Sequence, residues 1–114
     1  TRDYDSKARL QLELSDKRVR AGELLVDEKK YELAIDSYSK GERYFEQTIE
    51  TLKSAKIQGQ TPTASMIDQM SRSNIKHNDI LTRTSKELSG SLRERMGDVL
   101  TLNRQNAANL QSLK

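Results

Sequence analysis

His77 is the single histidine of the chain, with Asn74 one helical turn before it and Asn78 beside it. Imidazole exchanges protons near neutral pH and is the commonest metal ligand, so His77 is the first candidate for a general base or a ligand. A zinc site asks for three or four protein ligands, and the chain offers no second His and no Cys. The Glu-x-x-His spacing of helical di-metal sites is also missing, because Asn74 stands where the carboxylate belongs. The plainer reading is a part-buried His bonded to a carbonyl or a Tyr of another helix. We expect no metal and no cofactor.

Glu42, Glu46 and Glu50 form a row one turn apart. Like charges at that spacing destabilise an isolated helix by a few tenths of a kcal/mol per pair, roughly, so partners are expected. Folding residues 5–57 into an antiparallel hairpin about residues 29 and 30 sets opposite each other positions summing to about 59. Lys17 then faces Glu42, Arg9 faces Glu50, and Glu13 faces Glu46. With two of three contacts attractive, a solvated interhelix ion-pair row is expected rather than a calcium site, which wants closely spaced loop oxygens. Arg18 and Arg20 read as solvated. No phosphate-cradling glycine loop, nucleophile elbow or Ser-His-Asp set is present, so no enzyme is expected.

The elements that must position these groups follow from composition and period. Charged residues make up 32% and apolar ones 33%, with Gly and Pro scarce, which suits helices that bury one stripe each. From Asp5 or Ser6 as N-cap, Leu10, Leu14, Ala21 and Leu25 make one stripe. Tyr4, Ala8, Leu12, Val19 and Val26 make a second, an arc wide enough for two neighbours. Residues 27–30 read as a turn. A second helix, 31–57, carries Tyr31, Ala34, Tyr38, Gly41, Phe45, Ile49, Leu52 and Ala55, with Gly41 explained by close approach of the first helix. Gly59 suits a helix C′ position, and Thr61 before Pro62 an N-cap and N1 in the linker 58–63.

Beyond that linker, residues 63–113 carry Met66, Met70, Asn74, His77, Leu81, Thr84 and Leu88, then Leu92, Met96, Val99, Leu100, Ala107, Leu110 and Leu113. Gly90 between two serines marks a joint, either a break or a bend. The last dozen residues are the least apolar and are expected to fray. The expected fold is all-α: an antiparallel helical hairpin plus one or two further helices, an up-down three- or four-helix bundle in a single domain.

Net charge is +3, but residues 1–57 balance twelve basic against twelve acidic side chains, while 58–114 carry eight against five. The excess is scattered, so no nucleic-acid partner is expected. No apolar run is long enough to span a bilayer, so no direct membrane insertion is expected. The chain begins at Thr1 and not Met, as a processed chain or a piece of a longer one would, and says nothing of a leader or anchor outside it.

Lys7 to Lys53, KARLQLELSDKRVRAGELLVDEKKYELAIDSYSKGERYFEQTIETLK, resembles the hairpin of the bacterial domain-of-unknown-function family 5667. The likeness rests on Leu10 to Arg18 (LQLELSDKR), on Lys30-Tyr31-x-x-Ala34, on the Tyr-bearing helix after it, and on His77 with Leu81. It implies an extracytoplasmic bacterial module, often part of a larger envelope or surface protein. "YELAIDSYSKGE" is also similar to a tetratricopeptide helix, but the pattern does not recur one period later, so no repeat array is expected. The expected role is a non-enzymatic structural or protein-interaction module, working through a protein partner or self-association. The alternative is a small-ligand or stress-sensing bundle holding a ligand between helices near Tyr38, Tyr44 and His77.

Overall fold

Helix ends in this chain are set by side-chain and backbone caps. The computed structural model describes residues 3–114. Helix α1, Tyr4–Asp27, is capped by Asp3, whose carboxylate accepts both the Ser6 amide at 3.0 Å and the Ser6 hydroxyl at 2.7 Å. That double bond places the cap ahead of the expected Asp5 or Ser6. At its other end Lys29 takes φ 60, while the Lys30 amide bonds the Leu25 carbonyl and the Lys29 amide that of Val26. Helix α2, Tyr31–Ile57, ends in the same six-to-one and five-to-two pattern with Gly59 at φ 84, the C′ role expected of it.

Helix α3, Ala64–Lys86, begins later than Pro62, because Thr63 and not Thr61 supplies the cap, its hydroxyl accepting the Met66 amide at 3.0 Å. Helix α4, Gly90–Gln111, is separate: Ser89 is its extended N-cap and Gly90 has φ 58. The joint is a break, not a bend. The C-terminal stretch is helical to Gln111, with Asn103, Asn106, Leu110 and Leu113 all buried, which corrects the expectation of fraying.

The molecule is an all-α, up-down four-helix bundle, 47 × 21 × 18 Å. Around it the order is α1, α2, α4, α3: α1 packs most extensively on α2, and the α1–α3 seam is the thinnest of the four. Gly41 does mark a close approach, since a Cβ there would lie 2.8 Å from Val19 Cγ2 and 3.1 Å from the Ser15 carbonyl oxygen. A Cβ at Gly22 would be driven into the Tyr38 ring, a tighter approach still. Serines complete the seam: Ser15 donates to the Gly41 carbonyl and Ser37 to that of Arg18, both at 2.6 Å.

The core is divided into two. One apolar cluster gathers Val19, Ile35, Tyr38, Leu81, Met96 and Leu100; the other gathers Leu12, Phe45, Ile49, Met66, Met70 and Leu110. Between them, at mid-height, lies a polar layer.

Candidate functional site

That layer takes one residue from each helix: Asp16, Glu42, His77 and Asn103. His77 follows Asp16 by 61 positions and Asn103 follows Glu42 by 61, so the two hairpins present their polar groups at one level. Asp16 lies at the edge of the layer, half exposed, and the others sit where the helical period would place an apolar side chain. Glu42 falls between Tyr38 and Phe45, Asn103 and Asn106 between Leu100 and Leu110, and His77 between Met70 and Leu81.

Glu42 is wholly buried. Its Oε2 receives His77 Nδ1 at 3.1 Å; its Oε1 receives Asn103 Nδ2 at 3.1 Å and Asn106 Nδ2 at 3.3 Å. Asn106 also donates to the Glu42 carbonyl at 2.9 Å. On the other side of the ring, His77 Nε2 lies 2.8 Å from Asp16 Oδ1, and Asp16, half exposed, also accepts from Ser73. Asn78 donates to Asn103 Oδ1 at 2.9 Å, and the Phe45 ring meets the imidazole edge-on at 6.2 Å. Burial alone would lower the His77 pKa. The bonds to Asp16 and Glu42 outweigh it and raise the value to about 9. At neutral pH the ring is an imidazolium donating from both nitrogens, with no lone pair free to take a proton.

The expected ion-pair row is therefore corrected. The register was sound, but Glu42 turns inward to His77, while Lys17 pairs within its own helix with Glu13 and Glu50 with Lys53. His77 bonds carboxylates of α1 and α2, not the carbonyl or Tyr expected of it. Among the described residues, no group of three or more His, Cys, Asp or Glu side chains is placed to hold a metal ion. One buried atom, Asn106 Oδ1, lacks a hydrogen-bond partner among the described residues.

The three candidate contacts do not converge. His77 is held in the layer and reached only from the α1–α3 side, where a cleft of about 450 Å³ runs between Asp16, Arg20 and Glu23 on α1 and Arg72, Lys76 and Ile80 on α3. Tyr38 is fully buried, its hydroxyl 3.0 Å from Thr84 Oγ1, and burial raises its pKa. Tyr44 is half-buried on the opposite, outer side of the hairpin, in a shallow depression of about 320 Å³ with Arg18, Lys40, Arg43 and Gln47.

That outer side also carries the first α1 stripe. Ala8, Leu12 and Val19 of the second stripe are buried, but Leu10 is 57% exposed, Leu14 and Ala21 are partly buried, and Leu25 is partly buried against the edge of the first core cluster. Leu33 of α2 is 56% exposed. Among the described residues, Arg18, Lys40 and Arg43 have no carboxylate within ion-pair distance. No helix among them is long and apolar enough to cross a membrane. Fold and layer define a four-helix bundle with a histidine clasped between two carboxylates at its centre. No protein-family model, no curated protein and no solved structure matches this chain.

Proposed function

We propose that this chain is a non-enzymatic protein-interaction module, carried by a bacterial envelope or surface protein as its resemblance implies. The observation that carries the reading is the outer face of the α1–α2 hairpin. Helices α3 and α4 cover its other side, yet Leu10 and Leu33 stay more than half exposed, and Leu14 and Ala21 are only partly buried. Large apolar side chains left in water on a face that also carries Tyr44 are of the kind a partner covers. The buried polar layer is in keeping with the same reading, since both His77 nitrogens are engaged by carboxylates.

The test uses the full-length protein extracted gently from its own cells. Its hydrodynamic size should exceed that of the lone chain, and Leu10→Asp with Leu33→Asp should reduce it to that of the lone chain while leaving the melting temperature within about 2 °C, as exposed sites allow. An extract that already runs as the lone chain, or a size unchanged by both substitutions, overturns the reading. One observation favours a second reading, a small-ligand sensor: the α1–α3 cleft opens onto the His77–Asp16 pair. It predicts that some member of a metabolite panel raises the melting temperature.

A further inference from the structure

We propose that the outer face of the α1–α2 hairpin docks an acidic amphipathic helix of a partner protein; this rests on the interaction reading above and names the partner's chemistry. On α1, Leu14, Arg18, Ala21 and Leu25 recur at steps of three and four and share one stripe. On α2, Leu33, Lys40, Tyr44 and Gln47 lie at steps of seven, four and three, so they too share a stripe. Arg18, Lys40, Tyr44 and Gln47 line one depression, which places the two stripes on either side of the same groove. Two antiparallel helices with apolar residues along their outer groove offer the ridges against which a further helix packs. From Leu10 to Leu25 the stripe runs about 22 Å at the helical rise, a match for a segment of roughly fifteen to eighteen residues.

Charge selects the occupant. Of the other described cations in this hairpin, Arg9 pairs with Asp5, Lys17 with Glu13, Arg20 with Glu23, Lys30 with Glu28 and Lys53 with Glu50, while Lys7, Lys29 and Lys56 stand singly in water. Arg18, Lys40 and Arg43 are brought together from two helices, and none has one among the described residues. Glu or Asp on the flanks of an incoming apolar seam would pair with them, as flanking charges do in helical assemblies. A second copy of this chain fits poorly, because a two-fold contact would set the same three cations against themselves. Three cations are also too few to hold a nucleic acid backbone at physiological salt.

The probe is a labelled helical peptide of about eighteen residues with Leu at the first and fourth places of each heptad and Glu beside them. Its counterparts carry Gln or Lys in place of Glu. Fluorescence anisotropy against the 114-residue chain should show the Glu peptide binding about tenfold more tightly than the Gln peptide at low salt, from exposed ion pairs each worth a factor of a few. The Lys peptide should bind least, and about 0.5 M salt should remove the preference. Arg18→Glu with Lys40→Glu should reverse it without changing the melting temperature. Equal binding of the Glu and Gln peptides overturns the inference. So does binding confined to phosphatidylglycerol vesicles, which would make the face a lipid-surface contact. Should no peptide bind while Leu33→Asp still dissolves the native complex, the acidic helix is refuted and the interaction reading stands.

Discussion

The residue that chemistry singles out first, His77, is the one most fully engaged. Its ring spans Glu42 and Asp16 and so ties α3 to α2 and α1, while Asn103 and Asn106 bring α4 onto the same carboxylate. Removing one member of a buried ion pair typically costs about 3–5 kcal/mol, because the other is left charged and unpaired. The pH dependence has a definite sign. The folded pKa, about 9, stands above the ordinary 6.5, so the stabilisation is complete below pH 6.5 and is lost as pH rises through 9. With Asp16 half exposed and partly screened, the amount is on the order of 2–3 kcal/mol. Urea midpoints should therefore fall between pH 6.5 and 9 in the native protein. His77→Gln should lack that slope and start from a lower midpoint; parallel pH profiles would contradict the clasp. His77 was legible as a polar group on an apolar stripe, and Glu42, Asn103 and Asn106 carry the same signal at core positions of their helices. Glu42 also belongs to an acidic row, and a row of like charges suggests solvent before burial, while Asn103 and Asn106 lie in the least apolar stretch of the chain. Only the placement of α3 and α4 decides between the two.

At the scale of elements, the hairpin is held by small residues as much as by large ones. Gly22→Ala would drive a methyl into the Tyr38 ring, which is pinned from behind by its bond to Thr84. Overpacking of that kind costs about 1–3 kcal/mol, more than the roughly 1 kcal/mol of helix propensity gained. A lower melting temperature for Gly22→Ala is expected; an unchanged or raised one would mean the helices separate at little cost. Gly41 announced itself by lying on the apolar stripe of α2, and the register about residues 29 and 30 followed from the turn. Gly22 was not legible, because its contact is with an aromatic ring sixteen residues on, across the turn, and not with its own helix face. The helix starts were the least legible element. Asp5 and Ser6, or Thr61 with Pro62, have the right types for caps, but Asp3 and Thr63 reach the free amides. The break at Gly90 was visible as a joint, and its nature depended on Leu88 turning into the core.

Across the whole molecule, the single histidine is locked at the centre, while large apolar side chains are left exposed on the outer hairpin face, at Leu10 and Leu33, and beyond it at Ile57 and Ile75. The polar layer separates two apolar halves and satisfies nearly all of its own hydrogen bonds, an arrangement that fixes how four similar helices meet. The same arrangement covers one side of the hairpin with α3 and α4 and leaves on the other Leu33, a half-buried Tyr44 and Arg18, Lys40 and Arg43, which have no ion-pair partner among the described residues. The all-α bundle was legible from period and composition alone, whereas which apolar stripe would remain uncovered was not, since α1 carries two of nearly equal strength. The claim that contact falls on the outer hairpin face, and not in the cleft above His77, is tested most directly by a photo-crosslinking residue placed singly at Leu33, Lys76 or Arg104 of the full-length protein in its own cells. The account predicts a discrete protein adduct from position 33, on the outer face, and none from 76 or 104. An adduct from position 76 alone, or the same pattern from all three, would contradict it.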